Sequence, residues 1–248
     1  MKKLWLLPVI AIFLGCNISE DCIRNSGSME TKELTIGEAD ITSIYVYPNI
    51  SLVLAQGEQN SVVVMAGSNV IDDISVTVDG NSLVLKDNSG CNLSRQYGNK
   101  TVVVTAKSAG EMNIISNTSQ VIKSQGTLSF PTLRLFAMDS FGGVGTGDFI
   151  MNVDNGQLVV ESNNVALFKI TGATNELLLR FYDGLSRFEG ADFEVQSINI
   201  FHRSANDMII RPIQSLTGNI YSTGNVISKT HPPIVEVVQH YSGKIIYD

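Results

Sequence analysis

The chain has 248 residues and a formal net charge of −7, because 24 acidic residues outnumber 17 basic ones. This balance excludes nucleic acid as the expected partner, since affinity for nucleic acid comes mostly from Lys and Arg on phosphates. It also gives no electrostatic reason for the chain to lie on an anionic bilayer. The mixture of β-branched residues with Ser, Thr, Asn and Gly favours strands and turns and predicts an all-β protein.

Residues 1–15 have the layout of a secretory signal peptide. Two lysines precede an apolar run, Leu4–Leu14, which is shorter than the roughly 20 residues that a membrane-spanning helix needs. The next cysteine, Cys16, resembles the modified cysteine of the bacterial lipobox, although Phe13 stands where Leu is more common. We therefore predict cleavage before Cys16, acylation of that cysteine, and attachment to a membrane through the acyl chains. An ordinary signal peptide with an incidental cysteine is the alternative.

The two other cysteines are predicted to form a disulfide. With Cys16 acylated, Cys22 and Cys91 are an even pair in an oxidising compartment. Their bond would close a loop of about 70 residues and contribute roughly 4 kcal/mol in the chain-entropy model. Free or metal-binding thiols are the alternative, which no Cys-x-x-Cys spacing or nearby histidine supports. Residues 16–33 are polar and are predicted to form an acylated tether.

Residues 34–107 are predicted to form an N-terminal antiparallel β region. Runs of β-branched or alternating residues are separated there by polar breaks. Asp79-Gly80-Asn81 predicts a hairpin, because Asp-Gly tolerates the positive φ of a tight turn. The predicted strands are Ile41–Tyr47, Ile50–Ala55, Ser61–Ala66, Ile74–Val78, Ser82–Lys86 and Thr101–Ala106.

Residues 108–248 change to a repeating pattern. Each unit of about 20 residues holds two short strands separated by turn residues, which predicts the stacked coils of a β-solenoid, about 4.8 Å apart. A β-sandwich is the alternative, because the period is irregular. The fold class is therefore all-β, with the N-terminal β region continuing into the solenoid, and residues 34–248 are expected to form one continuous unit. The predicted units start at Met112, Leu133, Leu158, Leu177, Ile198 and Leu216.

Alternation along these strands predicts one candidate binding face. If one set of alternate residues points into the core, the residues between them point outward. Stacked coils would then align aromatic and arginine side chains, which are enriched at binding surfaces. The alternative is that the N-terminal β region folds over this face and covers it. The predicted inward residues are Leu133, Leu135, Leu158, Val160, Leu177, Leu179, Ile198 and Ile200. The candidate face consists of Arg134, Phe136, Met138, Arg180, Tyr182, Phe201 and Arg203.

No catalytic residue, metal site or cofactor is predicted. The stretch Phe141–Phe149 approaches the calcium repeat of β-rolls, but it is a single copy with Gly147 in place of the Asp, so a glycine-rich coil corner is predicted. His202, His231 and His240 show no paired ligand spacing. Charged residues of adjacent units match the types that a polysaccharide lyase or hydrolase uses, although their turn contexts favour solvated corners. That set is Arg180, Asp183, Arg187, Glu189, Asp192, Arg203 and Asp207.

Several segments resemble a known family of Bacteroidetes envelope proteins. The segments Ile209–Ile213, Gly218–Val226 and His231–Ile234 are similar to C-terminal repeats of the family called "putative auto-transporter adhesin, head GIN domain". Asp21–Gly27 and Cys91–Tyr97 are similar to motifs of its lipoprotein members. The resemblance covers residues 16–248 and implies a β-solenoid with a surface or envelope role, without catalytic residues. Ser19-Glu20-Asp21 also resembles the acidic signal that sends such lipoproteins to the cell surface.

These observations predict an envelope-anchored, non-enzymatic lipoprotein of the outer membrane, exposed at the surface. Its solenoid would present a surface for binding or adhesion to a protein or a glycan. A carbohydrate-active enzyme on the same scaffold is the first alternative. A structural accessory that packs against another envelope protein is the second.

Overall fold

The described part of the chain consists of β-strands and one short 3₁₀ helix, Ile71–Asp73. The computed structural model describes residues 25–37, 39–90, 100–107, 110–139 and 145–248. The predictions for the signal peptide, Cys16, Cys22 and Cys91 therefore lie outside the described residues. Within them, no helix is long and apolar enough to cross a membrane. The strands are β1 (Met29–Leu34), β2 (Ser43–Val46), β3 (Ser51–Gly57), β4 (Ser61–Gly67), β5 (Ile74–Asp79), β6 (Ser82–Asp87), β7 (Thr101–Lys107), β8 (Glu111–Ser116), β9 (Ile122–Leu128), β10 (Thr132–Ala137), β11 (Phe149–Ser162), β12 (Leu167–Phe181), β13 (Arg187–His202), β14 (Met208–Ile220), β15 (Val226–Ser228), β16 (Ile234–Gln239) and β17 (Ile245–Tyr247).

The strands form two stacks that face each other across the core, parallel except for β1, β4 and β5, as the sequence predicted for a β-solenoid. The first stack runs β5, β6, β2, β8, β10, the second halves of β11–β14, and β16. The second stack runs β1, β4, β7, β3, β9, the first halves of β11–β14, β15 and β17. The solenoid has about six turns at a spacing of about 21 residues.

The register confirms the repeat read from the sequence. Every predicted unit start is the pairing partner of the next one, from Met112 with Leu133 to Ile198 with Leu216. All of these residues are buried, as are all eight predicted inward residues. Apolar side chains at one position of each coil thus meet in a single column, because neighbouring coils stack without a shift at that position. The buried residues form one continuous core along the solenoid.

The N-terminal region is more solenoid-like than the sequence predicted. Antiparallel pairing joins β1 to β4, β4 to β7 and β5 to β6, and the last of these is the hairpin predicted at Gly80, whose φ is +57°. The coil formed by β2 and β3, however, pairs in parallel on both sides. It lies between the β6–β7 coil and the β8–β9 coil. The parallel stacks therefore reach back to Ser43, because an alternating pattern specifies which face is buried and not which way the neighbouring strand runs.

The last residues of the tether predicted for residues 16–33 belong to a strand. Met29–Leu34 form β1, which pairs along its whole length with β4. Five of its six residues are exposed, so its sequence has no apolar alternation that would predict a strand. A charged, exposed edge strand of this kind blocks further pairing.

Glycines let the backbones of neighbouring coils approach closely at the corners. A Cβ placed on Gly145 would lie 2.1 Å from the carbonyl oxygen of Ser116, and one on Gly147 would lie 2.0 Å from that of Gln120. Real Cβ atoms do not tolerate such distances. These two residues belong to the stretch Phe141–Phe149, whose residues 141–144 lie outside the described part. The described half is a coil corner that needs glycine, in agreement with the prediction.

Candidate functional site

The predicted face lies on the outer surface of the first stack, where coil stacking aligns it. Phe136 pairs in register with Glu161, Glu161 with Arg180, and Arg180 with Phe201. These four side chains form one column across four coils. Glu161, which the sequence analysis did not select, occupies an outward position of the same alternation. It was not predicted because aromatic and arginine side chains, and not carboxylates, are enriched at binding surfaces.

Glu161 organises the polar part of this column. Its Oε2 accepts a hydrogen bond from Arg134 Nη2 at 3.0 Å, and its Oε1 accepts one from Tyr182 Oη at 2.8 Å. Burial, together with the hydrogen bond to the Glu161 carboxylate, raises the pKa of Tyr182. The Arg134 guanidinium also lies 3.6 Å from Glu111 and 4.9 Å from the centre of the Phe136 ring. Opposite charges therefore alternate along the face and hold its side chains in place.

An aromatic ladder continues the face toward the C-terminal coils. The ring centres of Tyr182 and Phe201 are 5.6 Å apart, those of Phe201 and Tyr221 are 5.0 Å apart, and those of Tyr221 and His240 are 4.3 Å apart. The last two rings are nearly parallel, at 6°. Tyr221 and His240 were not predicted, although they recur at the same spacing of about 20 residues that marks the coils. Tyr221 and His240 therefore cover one ring face of each other, whereas the two other pairs are tilted by 45° and 44°.

Two predicted members lie at the margin of this face. Met138 follows the end of β10 and is half-buried, whereas Arg203 follows the end of β13 and is exposed. A shallow groove of about 280 Å³ runs beside the column and is lined by residues of four coils, most of them charged or polar. Its lining includes Glu111, Arg134, Gln157, Glu161, Arg180 and Tyr182.

The described N-terminal strands do not cover this face. β2 pairs with β8, and β6 pairs with β2, so both continue the first stack along its axis. β5 extends the same stack by pairing with β6. The alternative in which the N-terminal β region folds over the face is thus wrong for the residues that the structure describes. Residues that pair edge to edge with a sheet extend it and leave its outer surface free.

The charged set considered for a polysaccharide-active enzyme is divided between the two stacks. Arg180 lies on the first stack, whereas Arg187 lies on the second, 2.9 Å from Glu189. Asp183 accepts the backbone N–H of Gly184 at 2.8 Å, and Asp207 accepts that of Asn225 at 2.8 Å. The Asp183 contact is the turn-capping role that the sequence context favoured, whereas the Asp207 contact joins two neighbouring coils. Arg187 also lies 3.9 Å from Asp207, but the structure does not bring the whole set together into one cluster.

His202 belongs to the core rather than to a surface. Its side chain is fully buried at the end of an interior row of rings formed by Phe149, Phe168 and Phe181, with centres 4.9, 5.8 and 6.4 Å apart in sequence. Among the described residues, neither ring nitrogen has a hydrogen-bond partner in good geometry, although the backbone of Gly224 lies close. Burial lowers the pKa of His202 from 6.5 to about 4.

The buried neutral imidazole predicts acid lability of the fold. Between pH 6.5 and pH 4 the unfolded chain binds a proton at His202 that the folded chain does not, so the free energy of unfolding should fall by about 3 kcal/mol across this window. Chemical denaturation at pH 7 and pH 4.5 measures the loss. His202→Leu should remove most of it, whereas His231→Leu, which changes an exposed histidine, should retain it. An equal loss in wild type and His202→Leu would contradict this assignment.

Comparison with known proteins agrees with the fold. Residues 25–232 match the family model described as "Putative auto-transporter adhesin, head GIN domain". The chain belongs to this family. Membership supports a non-enzymatic role in adhesion and a location at the cell surface or envelope. No curated protein matches the chain.

Solved structures show the same architecture at low sequence identity. A "putative adhesin" from Bacteroides fragilis is 16% identical, with a TM-score of 0.75 over 91% of this chain and 100% of that chain. A "putative lipid binding protein" from Parabacteroides distasonis is 15% identical, with a TM-score of 0.58 over 90% and 99% of the two chains. A "putative adhesin" from Parabacteroides merdae is 13% identical, with a TM-score of 0.58 over 90% and 98%. At these identities the likeness concerns the fold.

Proposed function

We propose that the protein is an acylated lipoprotein of the outer membrane that binds a partner protein at the cell surface through the outer face of its first stack. The supporting observation is the alignment in which coil stacking places Phe136, Glu161, Arg180 and Phe201 in one column. Rigid stacked coils hold such a strip in place before binding, which lowers the entropy cost of association.

The geometry favours a protein over a glycan as the ligand. Sugar rings bind aromatic side chains through exposed ring faces, but in the ladder Tyr221 and His240 cover one another at 4.3 Å. A flat strip of Tyr, Phe and Arg side chains with interspersed carboxylates is typical of protein interfaces. Binding to a glycan array with no protein partner would reverse this preference.

The anchor is proposed at Cys16, and the tether would let the solenoid reach away from the membrane. The acylated N-terminus precedes β1, which is the first strand of its stack, so the other end of the solenoid extends outward. Fractionation of cells tests this part. Wild type should remain with the outer membrane, whereas Cys16→Ser should lose its acyl chains and leave that fraction.

Matched double variants test the binding face. Arg180→Ala with Arg203→Ala changes the proposed face, and Arg187→Ala with Arg211→Ala makes the same change on the second stack. We expect the first pair to reduce capture of surface proteins by at least about 10-fold, because two contact residues at an interface each contribute on the order of 1 kcal/mol. The second pair should bind like wild type. Capture is measured by cross-linking on intact cells and mass spectrometry of the partner.

Two results would contradict the proposal. Equal loss of capture in both double variants would place binding elsewhere or reflect misfolding, which circular dichroism distinguishes. Release of unsaturated or reducing-end products from acidic polysaccharides would instead favour the enzyme alternative, which uses the same scaffold.

A further inference from the structure

Two arginines of the proposed binding face have no acidic partner. Five arginines lie in the described part of the chain. Within that part Arg180 and Arg203 form no ion pair, whereas each of the three others does. The pairs are Arg134 with Glu161 at 3.0 Å, Arg187 with Glu189 at 2.9 Å and Arg211 with Glu194 at 3.1 Å. The unpaired guanidinium groups are thus confined to the face that we propose for binding.

The contacts around Arg180 explain why it lacks a countercharge. Glu161 is its register partner in the preceding coil, but the two Glu161 oxygens accept hydrogen bonds from Arg134 and Tyr182. Arg180 Nη1 donates instead to the carbonyl of Asn199 at 3.0 Å, which holds the guanidinium over the next coil. A guanidinium has five N–H donors, so most of those on Arg180 remain available to a ligand.

The two arginines lie close together beside the aromatic ladder. Arg180 pairs in register with Phe201, and the exposed Arg203 comes two residues after Phe201. One coil step of about 4.8 Å and two residues of about 3.3 Å each place their Cα atoms roughly 8 Å apart. The rings of Tyr182 and Tyr221 lie 5.6 and 5.0 Å from the Phe201 ring. Cationic and aromatic groups are therefore within reach of one bound segment.

We propose that Arg180 and Arg203 bind an acidic, extended segment of the partner protein, an inference that rests on the function proposed above. Carboxylates at alternate positions of an extended chain point to the same side and are about 7 Å apart, close to the spacing of the two arginines. Each carboxylate can accept two parallel N–H bonds from one guanidinium. Apolar side chains next to the acids would contact the rings of Tyr182 and Phe201.

Charge complementarity supports an acidic segment at this place. The chain as a whole carries −7, so most of its surface repels an acidic partner. At physiological ionic strength charges beyond about 8 Å are largely screened, and the nearest charges decide where such a partner docks. Two uncompensated arginines in an acidic chain therefore give both attraction at one site and discrimination against the rest of the surface.

Two exposed lysines on the second stack provide a contrast. Lys123 and Lys169 are both in register with Ile150, which separates them, and Glu189 is the next register partner of Lys169. An ammonium is a compact point charge and lacks the planar fork that matches a carboxylate. The lysine pair is therefore a control for charge alone, without the guanidinium geometry or the aromatic ladder.

Zero-length cross-linking on intact cells tests the contact directly. Arg180→Lys with Arg203→Lys keeps both charges and introduces amines, which a carbodiimide joins to a touching carboxylate as an amide with loss of water. Mass spectrometry should find this amide between an introduced amine and an Asp or Glu of another protein. Wild type should lack it at these positions, because guanidinium groups do not react. Arg187→Lys with Arg211→Lys makes the same change beside acids of this chain and should form no such amide with another protein.

Charge reversal tests the electrostatic part. Arg180→Glu with Arg203→Glu should reduce capture of the partner, measured by pull-down from surface-labelled cells, at least about 10-fold further than the two alanine changes, because like charges would then meet. Lys123→Glu with Lys169→Glu lowers the net charge by the same four units on the second stack and should capture like wild type. All variants should keep the wild-type circular dichroism spectrum. Raising NaCl from 0.1 to 1 M should weaken capture by wild type, since the screening length falls from about 10 to about 3 Å.

The outcomes separate this inference from the function on which it rests. Capture that is lost in the alanine variant, with no amide to a partner carboxylate and no further loss on charge reversal, would overturn the acidic segment and leave the binding face in place. Capture that survives the alanine changes would overturn both. Binding of wild type to polygalacturonate, abolished by Arg180→Glu with Arg203→Glu and without an amide to any protein, would assign the two arginines to an acidic glycan and also overturn the inference.

Discussion

Replacing Asp87 by Asn should lower the free energy of unfolding by about 3–5 kcal/mol, because it leaves the Lys100 ammonium buried without a countercharge. Lys100 Nζ lies 2.5 Å from Asp87 Oδ2, and the two side chains are 9% and 0% exposed. Asn49 Nδ2 also donates to this carboxylate at 3.1 Å. The pair ties the end of β6 in the first stack to the start of β7 in the second. Urea denaturation at pH 7 measures the loss.

A matched control is available on the surface. Lys32 and Asp72 form an ion pair at 2.7 Å, but their side chains are 48% and 82% exposed. Asp72→Asn makes the same chemical change in water, where ion pairs contribute little to stability, and should leave the melting temperature unchanged. The double change Asp87→Leu with Lys100→Met should recover part of the loss, since it removes both buried charges. Equal effects of the two Asp→Asn changes would contradict the buried-pair argument.

The same pair gives a second acid transition, distinct from that of His202. Burial alone would raise the pKa of Asp87, but hydrogen bonds from Lys100 and Ser89 and the Lys100 charge outweigh it and lower this pKa below 3.8. The stabilisation by Asp87 is therefore present above pH 3.8 and lost as the pH falls below that value. The loss from His202 occurs at higher pH, between 6.5 and about 4.

Gly172→Ala should destabilise the solenoid by about 4 kcal/mol, through a clash between two coils in addition to backbone strain. Gly172 has a φ of +105°, and a Cβ there would lie 2.1 Å from the carbonyl oxygen of Val153 in the preceding coil. The contact is with backbone, so no side-chain rotation relieves it. The coils would have to separate locally, which weakens the pairing of β11 with β12. Thermal and urea denaturation measure the change.

Gly126→Ala isolates the contribution of the clash. Gly126 lies within β9 and has a φ of +78°, but a Cβ added there would meet no atom of the described residues within 4 Å. Its replacement should cost only about 1–2 kcal/mol, the strain of a positive φ. If Gly172→Ala and Gly126→Ala destabilise equally, the approach of the backbones is not what requires glycine at position 172.

The sequence predicted strands better than it predicted their partners. All six strands expected between Ile41 and Ala106 are present within about two residues, a typical error for element ends. The pairing partners of these strands could not be read from the sequence, because β2 and β3 are inserted between coils that come later in the chain. β1 was missed altogether, since its polar, exposed sequence has no apolar alternation.

The sequence predicted part of the candidate face, because that part depends on periodicity along the chain. Its outward residues follow from alternation, and their alignment follows from the regular repeat. Glu161 joins them through hydrogen bonds to Arg134 and Tyr182, contacts that depend on side-chain reach across coils. The burial of His202 was likewise hidden, because a lone histidine carries no pattern that separates core from surface.

The sequence by itself determined the all-β class, the coil repeat and the side of each strand that is buried, because these depend on periodicity along one chain. The tertiary structure alone decided the order of the coils, the charged column at Glu161 and the buried Lys100–Asp87 pair. Each of these depends on which backbone lies next to which, and a pattern of apolar residues specifies a buried face without naming the neighbour that covers it.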